Sequence, residues 1–162
     1  YYVTPELYCG YARGQLGNAG GPLPDQSYRY IDSGKHAEGV RYLEGDWLGA
    51  SENVARPVGA KGPSRIMLSY MAADVNIVLH PPMVDGAGEL QVTLDGEVPS
   101  LEVAGEDVND GKVIIDRPRM YRVARGEDVG RHELVLETES DGLVVFAIVF
   151  TSCVVPIPKA AT

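Results

Sequence analysis

Apolar and polar residues alternate with a period of two along most of this chain. In "VRYLEGDWLGA", Leu43, Gly45 and Trp47 fall on one face and Tyr42, Glu44 and Asp46 on the other. "SRIMLSY" puts Ile66, Leu68 and Tyr70 on one side, and "DVNIVLH" directs Val75, Ile77 and Leu79 inward against Asp74, Asn76 and His80. "ELQVTLDG" repeats the pattern with Leu90, Val92 and Leu94, then turns at Asp95–Gly96. "HELVLET" sets His132, Leu134 and Leu136 against Glu133, Val135 and Glu137. Successive side chains of a strand point to opposite faces, so each segment predicts a half-buried β-strand. "GKVIID" and "RMYRVAR" predict shorter strands on either side of Pro118. "DGLVVFAIVFTS" is apolar on both faces and predicts a central, fully covered strand.

Roughly eight to ten strands at this spacing predict an all-β sandwich or barrel. No segment carries a helical period of normal length; "GEDVNDG" is too short and too glycine-flanked. Residues 12–37 include "GQLGNAGGPLP" and read as one long irregular surface loop. The tail 156–162, "PIPKAAT", cannot pair inside a sheet and is expected to fray. With 162 residues, 44% of them hydrophobic, 19 Gly and 11 Pro, the chain suits a single domain over 12–155 whose strands are joined by turns. The formal charge of −9 gives no general attraction for nucleic acid or an anionic membrane. The longest apolar run, Leu143–Phe150, is too short for a membrane-spanning helix.

Familiar catalytic patterns do not occur. There is no GxSxG elbow, and Ser69 and Ser152 lie in predicted strands without a histidine beside them. A P-loop, a GxGxxG after a strand and an EF-hand loop are all missing from the sequence. The two cysteines, Cys9 and Cys153, do not form a CxxC pair, and His36, His80 and His132 are too scattered to join them in a zinc cluster. The domain is therefore expected to be non-catalytic, with neither cofactor nor metal. His80 ends a strand before Pro81–Pro82 and reads as a structural residue. Trp47 shares a face with Leu43 and is expected in the core. Tyr28 and Tyr30 border the long loop, and Tyr42 stands on the polar face of its strand. With His36, Glu44 and Asp46 they make the candidate ligand site, in which flat rings stack on a sugar and carboxylates accept its hydroxyls.

Several segments resemble one family in its own order. "TPELYCGYARG" resembles the TPE-x-Y-x-G-Y-x-R opening motif of the domain that follows the thioredoxin fold in DipZ-type proteins. "YLEGDW", "ADVNIVL", "VTLDGEVP", "RPRMYRVAR" and "GLVVFAIVFTS" resemble its later strands, so the likeness covers about residues 3–153. It implies a jelly-roll-like β-sandwich of two antiparallel sheets, similar to carbohydrate-binding modules, in a bacterial protein. It further implies an accessory role behind an upstream thioredoxin-like domain, with residues 1–11 leading in from that domain. A glycan ligand and an extracytoplasmic setting, periplasm or cell envelope, go with this role. The alternative is a structural, docking or oligomerisation domain that positions the redox domain without a small-molecule ligand. The motif also couples an acidic turn residue to an Arg-x-Tyr strand, which implies a pair between Glu6 and Arg119. Cys9, Met120 and the "TSC" around Cys153 depart from the family pattern. The paired cysteine departures, with the usual closeness of domain termini, imply a Cys9–Cys153 disulfide as one alternative and two separate buried thiols as the other.

Overall fold

A computed structural model describes residues 2–83 and 86–152. The described residues contain strands and no helix: β1 (Leu7–Tyr8), β2 (Ser27–Tyr30), β3 (Tyr42–Gly49), β4 (Val54–Ala55), β5 (Ser64–Ala72), β6 (Asp74–His80), β7 (Gly88–Leu94), β8 (Lys112–Ile115), β9 (Arg119–Ala124), β10 (Gly130–Thr138) and β11 (Val144–Thr151). Every strand pairing is antiparallel. One sheet runs β8-β7-β10-β5-β3 and the other β3-β4-β11-β6-β9, with β1 added to β11 and β2 to β3. The chain thus passes back and forth between the two sheets of an antiparallel β-sandwich.

β3 belongs to both sheets. Tyr42–Glu44 pairs with β5, whereas Gly45–Leu48 pairs with β2. The crossing occurs at Gly45, whose φ of 81° favours glycine. A Cβ there would stand 2.4 Å from the carbonyl oxygen of Pro63, so the close approach of β3 to the start of β5 also requires glycine.

The core lies between the two inner faces. Leu43, Trp47, Ile66, Leu68, Ile77, Leu134 and Ile148 are all buried. Trp47 is 1% exposed, and its indole N–H donates to the carbonyls of Glu44 and Arg65, each at 3.1 Å. Burial of such residues supplies about 1.5–3 kcal/mol each, set against the chain entropy lost on folding.

Three sequence expectations are corrected. The stretch 12–37 is not wholly irregular, because Ser27–Tyr30 forms β2 on the outer side of β3. Three of its four residues are exposed, so no alternation marks it. β11 is central, lying between β6 and the pair β4 and β1, but it is not fully covered. Its register shifts between Val145 and Ala147. Leu143 and Val145 point inward before this bulge and Ile148 and Phe150 after it, whereas Val144, Phe146 and Val149 are half-buried. The change of parity explains why the run reads as apolar on both faces. Finally, within the expected lead-in 1–11, the described residues 2–11 are not merely a lead-in. Thr4 exchanges hydrogen bonds with Met71, and Leu7 and Tyr8 pair with β11, so this segment is part of the sandwich.

Candidate functional site

The β2–β3 register places Arg29 opposite Asp46 and Tyr28 opposite Trp47. Tyr28 is 50% exposed and meets Tyr30 edge-on, with centroids 5.0 Å apart. Arg29 reaches toward Asp46 at 3.6 Å and toward the Lys61 carbonyl at 3.4 Å. Both contacts are long and the Arg29 side chain is exposed, so the guanidinium keeps donors for another partner. Asp46 accepts a hydrogen bond from the Lys61 amide at 3.2 Å. Beside these residues lies an open groove of about 250 Å³, lined by Ser27, Tyr28, Arg29, Asp46 and the segment Pro57–Ala60. It combines a flat ring, a guanidinium, a carboxylate and a hydroxyl.

One buried arginine builds the far wall. Arg56 donates to Asp141 Oδ1 (2.9 Å), Ser64 Oγ (2.9 Å) and the carbonyls of Gly62 (2.5 Å), Ala60 (3.0 Å) and Thr138 (3.3 Å). Asp141 also accepts from the Gly59 amide, and this bond, with the Arg56 guanidinium, holds its carboxyl below the ordinary value. Ser64 Oγ donates in turn to the Asp46 carbonyl at 2.7 Å.

The expected six-residue site is therefore divided. Tyr28 and Asp46 line the groove, whereas Tyr30 is buried, 5% exposed, with its hydroxyl accepting from the Leu23 amide. Tyr42 does not face solvent. The segment after β2 folds over it, its hydroxyl accepts from the Ala37 amide, and Gly17 abuts its ring. His36 packs on Tyr42, with centroids 4.6 Å apart, and bonds Asp32 through Nε2 and Glu133 through Nδ1. Glu44 faces away from the groove and, with Glu137, grips Arg65. Arg29 and the Pro57–Ala60 wall are absent from the sequence-derived set. The signal available was the position of Arg29 between Tyr28 and Tyr30, but nothing local brings residues 57–60 to it.

The expected Glu6–Arg119 pair does not form. Arg119 makes a bidentate pair with Asp107, at 2.9 and 3.1 Å, and stacks on Tyr121. Glu6 accepts from Tyr8. Strands β11 and β6 stand between β1 and β9, which separates the two. His80 Nδ1 lies 2.8 Å from the Pro81 carbonyl oxygen. Cys9 is a free thiol among the described residues, and burial pushes it up to about 12 against the opposing charge of Arg41. Cys153 lies outside the described residues, as does its expected bridge to Cys9. Among the described residues, no group of three or more His, Cys, Asp or Glu side chains is placed to hold a metal ion.

This geometry belongs to an antiparallel β-sandwich with a polar surface groove. The model of the "Thioredoxin like C-terminal domain" family matches residues 4–151, and the chain belongs to that family. No curated protein matches it. Among solved structures, it is similar to a glycoside hydrolase family 43 arabinoxylan arabinofuranohydrolase from Bacillus subtilis, in complex with cellotetraose. The identity is 12% and the TM-score 0.40, over 81% of this chain and 28% of that one. It is also similar to CsCBM6-3 from Clostridium stercorarium, in complex with cellobiose, at 14% identity and a TM-score of 0.35, over 83% of this chain and all of that one.

Proposed function

We propose that this chain is a non-catalytic accessory domain of a thioredoxin-like protein, placed behind a redoxin domain in an extracytoplasmic compartment. In this reading it binds a carbohydrate, such as a cell-envelope glycan, along the groove between β2–β3 and Pro57–Ala60. The observation that carries it is the exposed Tyr28 ring beside Arg29 and Asp46. A sugar offers an apolar C–H face to stack on such a ring, and its hydroxyls both donate and accept. Asp46 accepts and Arg29 donates. No histidine is among the described residues that line the groove, and His36 lies elsewhere with carboxylates on both nitrogens.

The test is an NMR titration with glucan, chitin and mannan oligosaccharides. Saturable shifts at Tyr28, Arg29 and Asp46, weakened about tenfold by Tyr28→Ala, are expected. Saturable binding that Tyr28→Ala and Asp46→Asn leave unchanged moves the ligand elsewhere. If no saccharide binds, the second reading holds, namely a docking domain that positions the redox domain. One feature favours that reading: Thr4–Cys9 is laced to β5 through Met71 and to β11 through Phe146 and Ile148, so an N-terminally attached domain would be held close to the sandwich.

A further inference from the structure

Asp32, His36 and Glu133 join the β2–β3 connection to β10. His36 Nε2 lies 2.9 and 3.0 Å from the two carboxylate oxygens of Asp32, and Nδ1 lies 2.5 Å from Glu133 Oε1. The His36 side chain is 11% exposed, that of Asp32 10% and that of Glu133 42%. A neutral imidazole has one N–H donor and one lone pair. With a carboxylate at each nitrogen, either neutral tautomer aims its lone pair at an anion. Only the imidazolium donates in both directions.

We propose that protonated His36 is a staple that holds residues 31–41 over Tyr42 and β10, and that deprotonation releases this segment. Titratable groups from three elements surround it. Asp32 comes from the same segment, Tyr42 from β3 and Glu133 from β10. Behind Glu133, Asp95 at the end of β7 accepts from the Glu133 amide and lies 2.6 Å from His132 Nδ1. Glu38 pairs with Arg131 at 3.0 Å. No cation stands beside the His36 ring among these contacts, so its charge is opposed only by burial. Burial does lower its proton affinity, but the bonds to Glu133 and Asp32 outweigh it and leave the group above 6.5.

The backbone of the segment is otherwise tied by few bonds: the Ala37 amide to the Tyr42 hydroxyl, the Gly39 amide to the Ser69 carbonyl and, at its end, the Arg41 carbonyl to the Gly17 amide. At its two ends the Asn18 side chain bonds Ile31 and Leu43. Release would therefore free the connection leading out of β2, the strand that bears Tyr28 and Arg29. His132 is the internal contrast. It faces one carboxylate, through Nδ1 alone.

The experiment is an NMR titration of the intact domain, with 15N shifts of the histidine rings and amide exchange of Ala37 and Gly39 normalised to intrinsic rates. The His36 resonance is identified by its loss in His36→Gln. The expected result is a ring protonated at both nitrogens up to a midpoint above 6.5, with exchange at Ala37 and Gly39 accelerating up to tenfold per pH unit beyond it while Leu68 and Leu134 stay protected. His36→Gln should abolish that acceleration, and Glu133→Gln should move the midpoint down. A neutral His36 tautomer between about pH 5 and 6.5, or exchange at Ala37 and Gly39 that follows the core at all pH values, overturns the proposal. The wild-type titration decides the matter even if a variant does not fold.

Discussion

Arg56 is 4% exposed, and its guanidinium is surrounded by the acceptors that shape the groove wall. Replacing it by Met keeps the stem's packing and removes every donor, leaving the carbonyls of Gly62 and Thr138 short of a partner. Arg56→Met is expected to cost about 2–3 kcal/mol, read as a lowered urea midpoint, since Asp141 regains water and only part of the loss is uncompensated. Trp47 reports the transition, being the one tryptophan and buried. Trp47→Phe takes the indole donor from the Glu44 and Arg65 carbonyls and should cost about 1–3 kcal/mol, checked by circular dichroism. Cys9 has no exposed surface and a thiol raised to about 12, so a thiol reagent near neutral pH should leave it unlabelled while the fold holds. Counting thiols in the denatured, unreduced protein also decides the bridge to Cys153: two per chain rule it out.

Among the strands, β3 carries the most constraint, because one strand serves two sheets. Gly45 meets this demand twice, through its positive φ and through its contact with Pro63. Gly96 has the same φ of 81° but open space around its Cβ position. Gly96→Ala should therefore cost about 1 kcal/mol from backbone strain alone, and Gly45→Ala clearly more, because β3 and β5 must also move apart. Equal losses for the two variants in urea titrations would show that the close approach to Pro63 carries no weight.

For the whole molecule, charge placement sets the pH range of stability. The carboxyls of Asp107 and Asp141 are held low, Asp107 first by its bond to Arg119 and Asp141 first by the Gly59 amide. Burial raises Asp95, but its bonds to His132 and the Glu133 amide outweigh this and leave it lowered as well. A depressed folded value means stability present above the ordinary 3.8 and lost as pH falls through the folded values. His36 works in the opposite sense. Its contribution is full below 6.5 and is lost as pH rises through its raised folded value. The melting temperature should thus fall on both sides, below pH 3.8 and above pH 6.5. His36→Gln should flatten the alkaline side and leave the acid side in place.

Alternation alone determined the all-β class and the core assignments of Leu43, Trp47, Ile77, Leu90 and Leu134, because a strand with one buried face must write a period of two into its residues. It could not locate β2, whose residues are mostly exposed, nor separate the two faces of β11, where a bulge reverses the parity. The groove was half legible. Tyr28 and Asp46 stood out as a ring and a carboxylate in plausible positions, yet Tyr42 and Glu44 were indistinguishable from them by the same criterion. Tertiary structure decided between them: the segment before β3 folds over Tyr42, and Arg65 from β5 claims Glu44. Likewise only the fold brings Arg56 to Asp141, Arg119 to Asp107 and His36 to Glu133, residues far apart in sequence. Charge pairs leave no period in a sequence, because their partners are chosen by sheet order and loop path rather than by neighbours along the chain.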